Sequence, residues 1–246
     1  MKSSTADLES RGYISQMDFE KCIFHDSQDI YHHLTQAGSI RTAAVRRIRA
    51  DKDPQFIPKL VELLRHEKKL YTKIELCECL AEFGLVALDE LIPYLGKIGN
   101  NQHKVIGNYD LQKKSYPLPR DIVARIIIRM GPNAFPQLKH VLDSKDHGAI
   151  SEAIDAVGHI SVNYRDYSME KICIRLYHAR LSSLIEWKLI RAFQAFGSDE
   201  VIHILRKICE DHDMDIIMRN EAQRSLLRIG QKDRFDPNTW FTPTSQ

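Results

Sequence analysis

Five arginines, Arg125, Arg129, Arg191, Arg224 and Arg228, are the residues of this 246-residue chain whose type and spacing most plainly invite chemistry. All are Arg rather than a mixture with Lys, and a planar guanidinium grips carboxylate or phosphate through two parallel hydrogen bonds where an ammonium offers a point charge. The chemistry implied is anion recognition. Glu78 and Glu82, one helical turn apart, form an acidic counterpart. A third group is aromatic and basic: His103, Lys104, Tyr109, Lys113, Lys114 and Tyr116 in one non-periodic stretch, with Tyr164 and Arg165 in another. Tyrosine beside Arg or Lys is a common composition of recognition surfaces.

Covalent and metal chemistry find less support. Gly-x-Ser-x-Gly, His-Glu-x-x-His, paired Cys-x-x-Cys and a phosphate-cradling glycine loop are all missing from the sequence. Cys77 and Cys79 stand roughly 200° apart around a helix, so one helix cannot aim both thiols at one ion. Cys22, His25, His32 and His33 gather ligand-type atoms near the start of the chain, without a spacing that fixes four ligands. No catalytic residue, cofactor or metal is expected.

Bulk composition is balanced: 35 Lys and Arg against 33 Asp and Glu give a formal charge of +2, so any basic surface must be local. With 43% hydrophobic residues the chain can bury a substantial core. The most apolar run, "IVARIIIRM", is broken by Arg125 and Arg129 well short of the ~20 residues that span a bilayer, and the N-terminal stretch lacks an apolar signal core. Five scattered cysteines suit a reducing compartment. The expectation is a cytoplasmic protein without membrane contact.

The elements that position these residues recur. "KIELCECLAEFG", "RDIVARIIIRMG", "ISEAIDAVG", "WKLIRAFQAFG" and "RNEAQRSLLRIG" close at Gly84, Gly131, Gly158, Gly197 and Gly230, and a worn earlier copy, "RTAAVRRIRADK", closes at Lys52. Steps between closing positions run from 27 to 47 residues. Four before each close lie Ile48, Leu80, Ile127, Ile154, Phe193 and Leu226; eight before the glycines lie Leu76, Val123, Ile150, Leu189 and Ala222. That spacing makes one apolar helical face, and the closing glycine is expected to supply a left-handed C-cap. A second amphipathic segment follows each close, with Pro54, Pro132 and Ser198 at helix starts. The unit is helix, turn, helix, and six pairs are counted. An opening segment occupies 1–36, the array 37–233 and a tail 234–246. An insertion at 99–119 lies inside the third pair and accounts for the 47-residue step.

On "IMRNEAQRSLLRIG", "SIRTAAVRRI" and "FIPKLVELL" the chain resembles HEAT-repeat proteins, closest to the short HEAT-like repeats named after the phycobilisome lyases. The resemblance implies an all-α, right-handed α-solenoid of about six antiparallel helix pairs, whose second helices line a concave face. Positions six and two before each close fall opposite the apolar columns, hence on that face. They include Glu78, Glu82, Arg125, Arg129, Arg191, Arg224 and Arg228. Such arrays serve as scaffolds, lyase subunits and DNA glycosylases, so the fold leaves function open. The paired aromatic clamp of the glycosylases is not visible, since only Trp187 and Trp240 are present. The expected function is a non-catalytic scaffold binding a protein or peptide on the concave face and the insertion. The alternative is nucleic-acid binding, glycosylase-like, in an arginine groove.

Overall fold

A computed structural model describes residues 4–36, 38–109 and 111–230; the expected tail with Trp240 lies outside the described residues. Among the described residues every regular element is helical. The chain divides into two compact units, Met1–Tyr94 and Leu95–Gln246.

The first unit holds α1 (Thr5–Ser10), α2 (Gln16–Glu20), α3 (Ser27–Thr35), α4 (Ser39–Asp51), α5 (Ile57–His66), α6 (Leu70–Phe83) and α7 (Leu85–Leu91). Its helices start where side-chain oxygens can take orphan N–H groups: Ser4, Ser15 and Asp26 each accept a backbone N–H three residues on. Pro54 opens a 3₁₀ turn that leads into α5, where a missing N–H does no harm. α4 packs on α3 and α6, and α5 on α6 and α7. Ile48, Leu76 and Leu80 of the predicted columns are fully buried there. α7 is followed by a short 3₁₀ turn, Ile92–Tyr94, around Pro93, which has no N–H to continue an α-helix.

The second unit holds α8 (Ile122–Ile127), α9 (Phe135–Leu142), α10 (His147–Tyr164), α11 (Glu170–Ala179), α12 (Ser183–Ala192), α13 (Asp199–Glu210) and α14 (Ile216–Ile229). Asp121, Asp146, Ser182, Ser198 and Asp215 cap α8, α10, α12, α13 and α14 through their side-chain oxygens. α10 packs on α8, α9 and α12, α12 on α11 and α14, and α13 on α14. Val123, Ile127, Ile150, Ile154, Leu189, Phe193 and Ala222 are buried, each large apolar side chain contributing roughly 1.5–3 kcal/mol.

The closing glycines behave differently from expectation. Gly131 has φ 64° with an extended ψ of −155°, and Gly230 sits at φ −68°, so neither is a left-handed C-cap. Lys52, Arg165 and Arg180 take the left-handed cap position instead. Gly158 closes nothing: α10 runs through it to Tyr164. The non-periodic stretch expected at Tyr164 and Arg165 is therefore helical up to Tyr164, with Arg165 as its cap.

Candidate functional site

The insertion forms a strap across α10, α12 and α14 of the second unit. Its described residues from Asn101 onward contain no helix, so the strap is held by side chains. Tyr116, only 6% exposed, packs its ring and hydroxyl against the bare α-carbon of Gly158, edge-on to His159 at 6.1 Å. His103, also 6% exposed, lies between Tyr109 at 5.0 Å and Trp187 at 5.1 Å, and the Arg120 guanidinium covers the Tyr109 ring at 4.8 Å. Gln102 Nε2 donates to Asp121 Oδ2 at 2.9 Å, tying the strap's start to the N-cap of α8.

The helices answer with arginine. Arg191 Nη2 donates to the Tyr109 carbonyl at 3.5 Å, Arg224 Nη2 to those of Lys113 and Ser115 at 3.4 Å, and Arg228 Nη2 to that of Lys113 at 3.1 Å. Asn220 Nδ2 donates to Asn108 Oδ1 at 3.3 Å.

Beneath the strap lies a buried ion network. Lys188, with no exposed surface, places Nζ 2.8 Å from both Glu152 Oε1 and Asp155 Oδ2. Glu221 is shared by Arg191 at 3.3 Å and Arg224 at 3.0 Å, while the Arg191 guanidinium stacks on Trp187 at 4.0 Å. Burial drives the titrations. It pushes Glu152 up to about 7 against the pull of Lys188, holds His103 and His159 down to about 4, and raises the Tyr116 hydroxyl well above its ordinary value. Several buried polar atoms have no hydrogen-bond partner: both ring nitrogens of His103, Tyr116 Oη, Trp187 Nε1, and the Nε atoms of Arg191 and Arg224.

Two of these pairs and a third in the first unit obey one rule. A residue nine before the close of one sequence copy meets the residue six before the close of the preceding copy: Glu75 with Arg46 at 3.2 Å, Lys188 with Glu152 at 2.8 Å, Glu221 with Arg191 at 3.3 Å. The residue three before the close joins twice, as Arg49 to Glu75 at 3.1 Å and Asp155 to Lys188 at 2.8 Å. At the third and fourth copies the nine-before position holds Ile122 and Ala149, so the rule lapses. Glu75, Lys188 and Glu221 fall outside the apolar columns, so the period that assigns the core says nothing of them. A charge recurring at one column, opposite a countercharge 26 to 36 residues earlier, was the readable signal.

The predicted site residues are dispersed. Glu78 and Glu82 lie in the first unit on Arg49, which reaches Glu78 Oε2 at 2.6 Å and Glu82 Oε1 from Nε at 2.6 Å, so the acidic patch is part of an ion-pair network. Arg125 and Arg129 are exposed, and Arg125 Nε donates to the Pro119 carbonyl at 2.7 Å. Arg191 and Arg224 are buried and Arg228 is half-buried, so the expected run of five open arginines is covered along α12 and α14. In the strap Lys104, Lys113 and Lys114 are exposed and Tyr109 is half-buried. His103 and Tyr116, expected as exposed recognition residues, are anchors buried by aromatic packing. Tyr164 and Arg165 are exposed, on the last turn and cap of α10 rather than in a loop, with the Tyr164 ring over Gly131.

Of the early Cys and His residues, His33 turns Nδ1 to the Asp29 carboxylate at 3.1 Å and, with Cys22, lines a first-unit cavity of about 330 Å³. Among the described residues no group of three or more His, Cys, Asp or Glu is placed to hold a metal ion, and no helix is long and apolar enough to cross a membrane.

Among the described residues the chain defines a class of protein whose regular elements are all helical, with a side-chain-held strap over a buried ion network. Protein-family models were compared and none matches this chain; no similar protein is found among the curated ones either.

Proposed function

We propose that the chain is a HEAT-like repeat protein, a right-handed solenoid of about six helix pairs, working in the cytoplasm as a non-catalytic module that binds a protein or peptide. The ion pairs that recur between consecutive sequence copies support the repeat reading, since stacked repeats bring equivalent columns of neighbours together. The strap carries the functional reading. It is fastened by His103, Tyr116 and main-chain carbonyls, all facing the helices, while Lys104, Val105, Lys113, Lys114 and Leu118 are exposed. A non-helical segment that is anchored on one side and presents charge and apolar side chains on the other has the makings of a recognition surface. The nucleic-acid reading loses support because Arg191 and Arg224 already face Glu221 and the strap.

Capture from native lysate, with and without nuclease, tests the choice. A nuclease-resistant protein partner, lost when Lys104, Lys113 and Lys114 are changed together to Glu without a fall in melting temperature, is the expected result. A nuclease-sensitive interaction would transfer the function to nucleic acid.

A further inference from the structure

The cavity of about 330 Å³ in the first unit takes its walls from α1, α2, α3, α4 and the turns that join them. Its size lies at the lower end of small-molecule sites, about 300–1,000 Å³. Tyr13, Ile23 and Ile40 line it and are exposed, so large apolar surface stays open to water at this place. Among the described residues Glu9 and Asp18 line it too, and no Lys or Arg does. Both oxygens of Asp18 are taken, by Ser15 Oγ at 2.6 Å and by Lys21 Nζ at 2.9 Å, whereas Glu9 forms no ion pair among the described residues. His33 adds an acceptor. Its Nδ1 lies 2.7 Å from the Asp29 carbonyl and 3.1 Å from the Asp29 carboxylate, neither of which can donate, so Nδ1 carries the hydrogen and the neutral ring keeps Nε2 as a lone-pair acceptor. Residues 1–40 hold three Lys or Arg and six Asp or Glu in a chain that is +2 as a whole, and the local field favours a cation.

The wall that carries Tyr13 is pinned from outside the cavity. Thr42 Oγ1 donates to the Gly12 carbonyl at 2.7 Å and lies 2.8 Å from Thr72 Oγ1, and the Tyr71 N–H donates to the Arg11 carbonyl at 3.0 Å. Gly12 stands at φ 86°, where a methyl would fall 2.3 Å from Thr72 Oγ1, so the turn approaches α6 this closely only with glycine. Tyr13 then packs edge-on to Tyr71 at 5.2 Å. A wall fixed in this way need not be ordered by a ligand, which lowers the cost of binding.

We propose that the cavity is a binding site for a small amphipathic amine, its ammonium on Glu9 with His33 as a second acceptor and its apolar body against Tyr13, Ile23 and Ile40. A carboxylate in the same place would meet the charges of Glu9 and Asp18, and a neutral ligand would leave Glu9 without a countercharge.

The probe is 4-phenylbutylamine, beside 4-phenylbutyrate and 4-phenylbutanol, which share its body but not its charge. Titration calorimetry on the full chain at pH 8 is expected to show the amine binding about tenfold more tightly than either companion, since only its head complements the wall. The amine is also expected to slow iodoacetamide labelling of Cys22, which lines the same cavity. Glu9 is exposed, so Glu9→Gln should keep the melting temperature while weakening the amine about threefold to fivefold, the range of an open ion pair. Ala43→Leu, which enlarges a buried side chain on the α4 wall, should weaken all three probes. If it melts early, Glu9→Gln decides alone. No binding of the amine at millimolar concentration, equal binding of the three probes, or full affinity for the amine in Glu9→Gln would each overturn the proposal.

Discussion

The hydroxyl of Tyr116 lies over the α-carbon of Gly158, in the space that a methyl at that position would fill. Glycine within a helix costs about 0.5–1 kcal/mol relative to alanine, and here that cost leaves room for the ring that anchors the strap. Gly158→Ala should keep the helical circular-dichroism signal while the amides of residues 101–116 exchange faster by mass spectrometry. Gly197→Ala is the control: the nearest atom to a methyl there is 3.9 Å away, and stability should stay within about 0.5 kcal/mol.

Lys188 holds two buried carboxylates, Glu152 and Asp155, each at 2.8 Å. Lys188→Met should lower unfolding free energy in urea by about 3–5 kcal/mol, because both carboxylates lose their buried cation. Combining it with Glu152→Gln and Asp155→Asn should recover much of the loss, since the replaced charges no longer need a partner.

Acidification should destabilise the second unit. His103 and His159 are held down to about 4 by burial, so between about 4 and 6.5 the unfolded chain binds the extra protons, and the histidines' contribution is lost as pH falls through that window. Glu152 acts oppositely: raised from 4.5 to about 7, it favours the folded chain at the acid end and loses that contribution as pH rises. Over most of that window the two histidines outweigh Glu152, while Asp121, whose carboxyl burial also raises, adds to Glu152 at the acid end. Melting temperature should fall between pH 6.5 and 5, His103→Gln should flatten the slope by at most about 1.4 kcal/mol per pH unit, and Glu152→Gln should steepen it.

The thiols should separate by reactivity. Cys79 and Cys173 are buried, and burial pushes both up to about 12, so neither should react with iodoacetamide at pH 8 until the chain unfolds. Cys22, half-buried beside the first-unit cavity, should be labelled in the native protein. Labelling of Cys173 at the Cys22 rate would show that the packing around α11 is looser than described.

The apolar columns were legible because a helix repeats every 3.6 residues, and Leu76, Leu80, Ile150, Ile154, Leu189 and Phe193 all reach the core that this period assigns them. The site was legible only in part. Arg191 and Arg224 were chosen for their type, yet they lie inside the seam, because Glu221 and the strap come to them from elsewhere in the chain. Gly158 looked like a helix stop by analogy with its copies. The helix runs on through it, and the glycine instead leaves room for the ring of Tyr116, 42 residues earlier in sequence.

By itself the sequence determined that the described chain is mainly helical, that a helix starts at Ser198, and most of the apolar columns that face inward. These follow from local capping and from a period that any short window displays. Only the tertiary structure decided that the insertion lies on α10, α12 and α14, that His103 and Tyr116 are anchors, and that a charge nine before one close answers a charge six before the last. Arg224 and Lys113 are 111 residues apart in the chain, and no local period carries across that distance. Their meeting depends on how the helices stack and on where a non-periodic segment finds donors for its carbonyls.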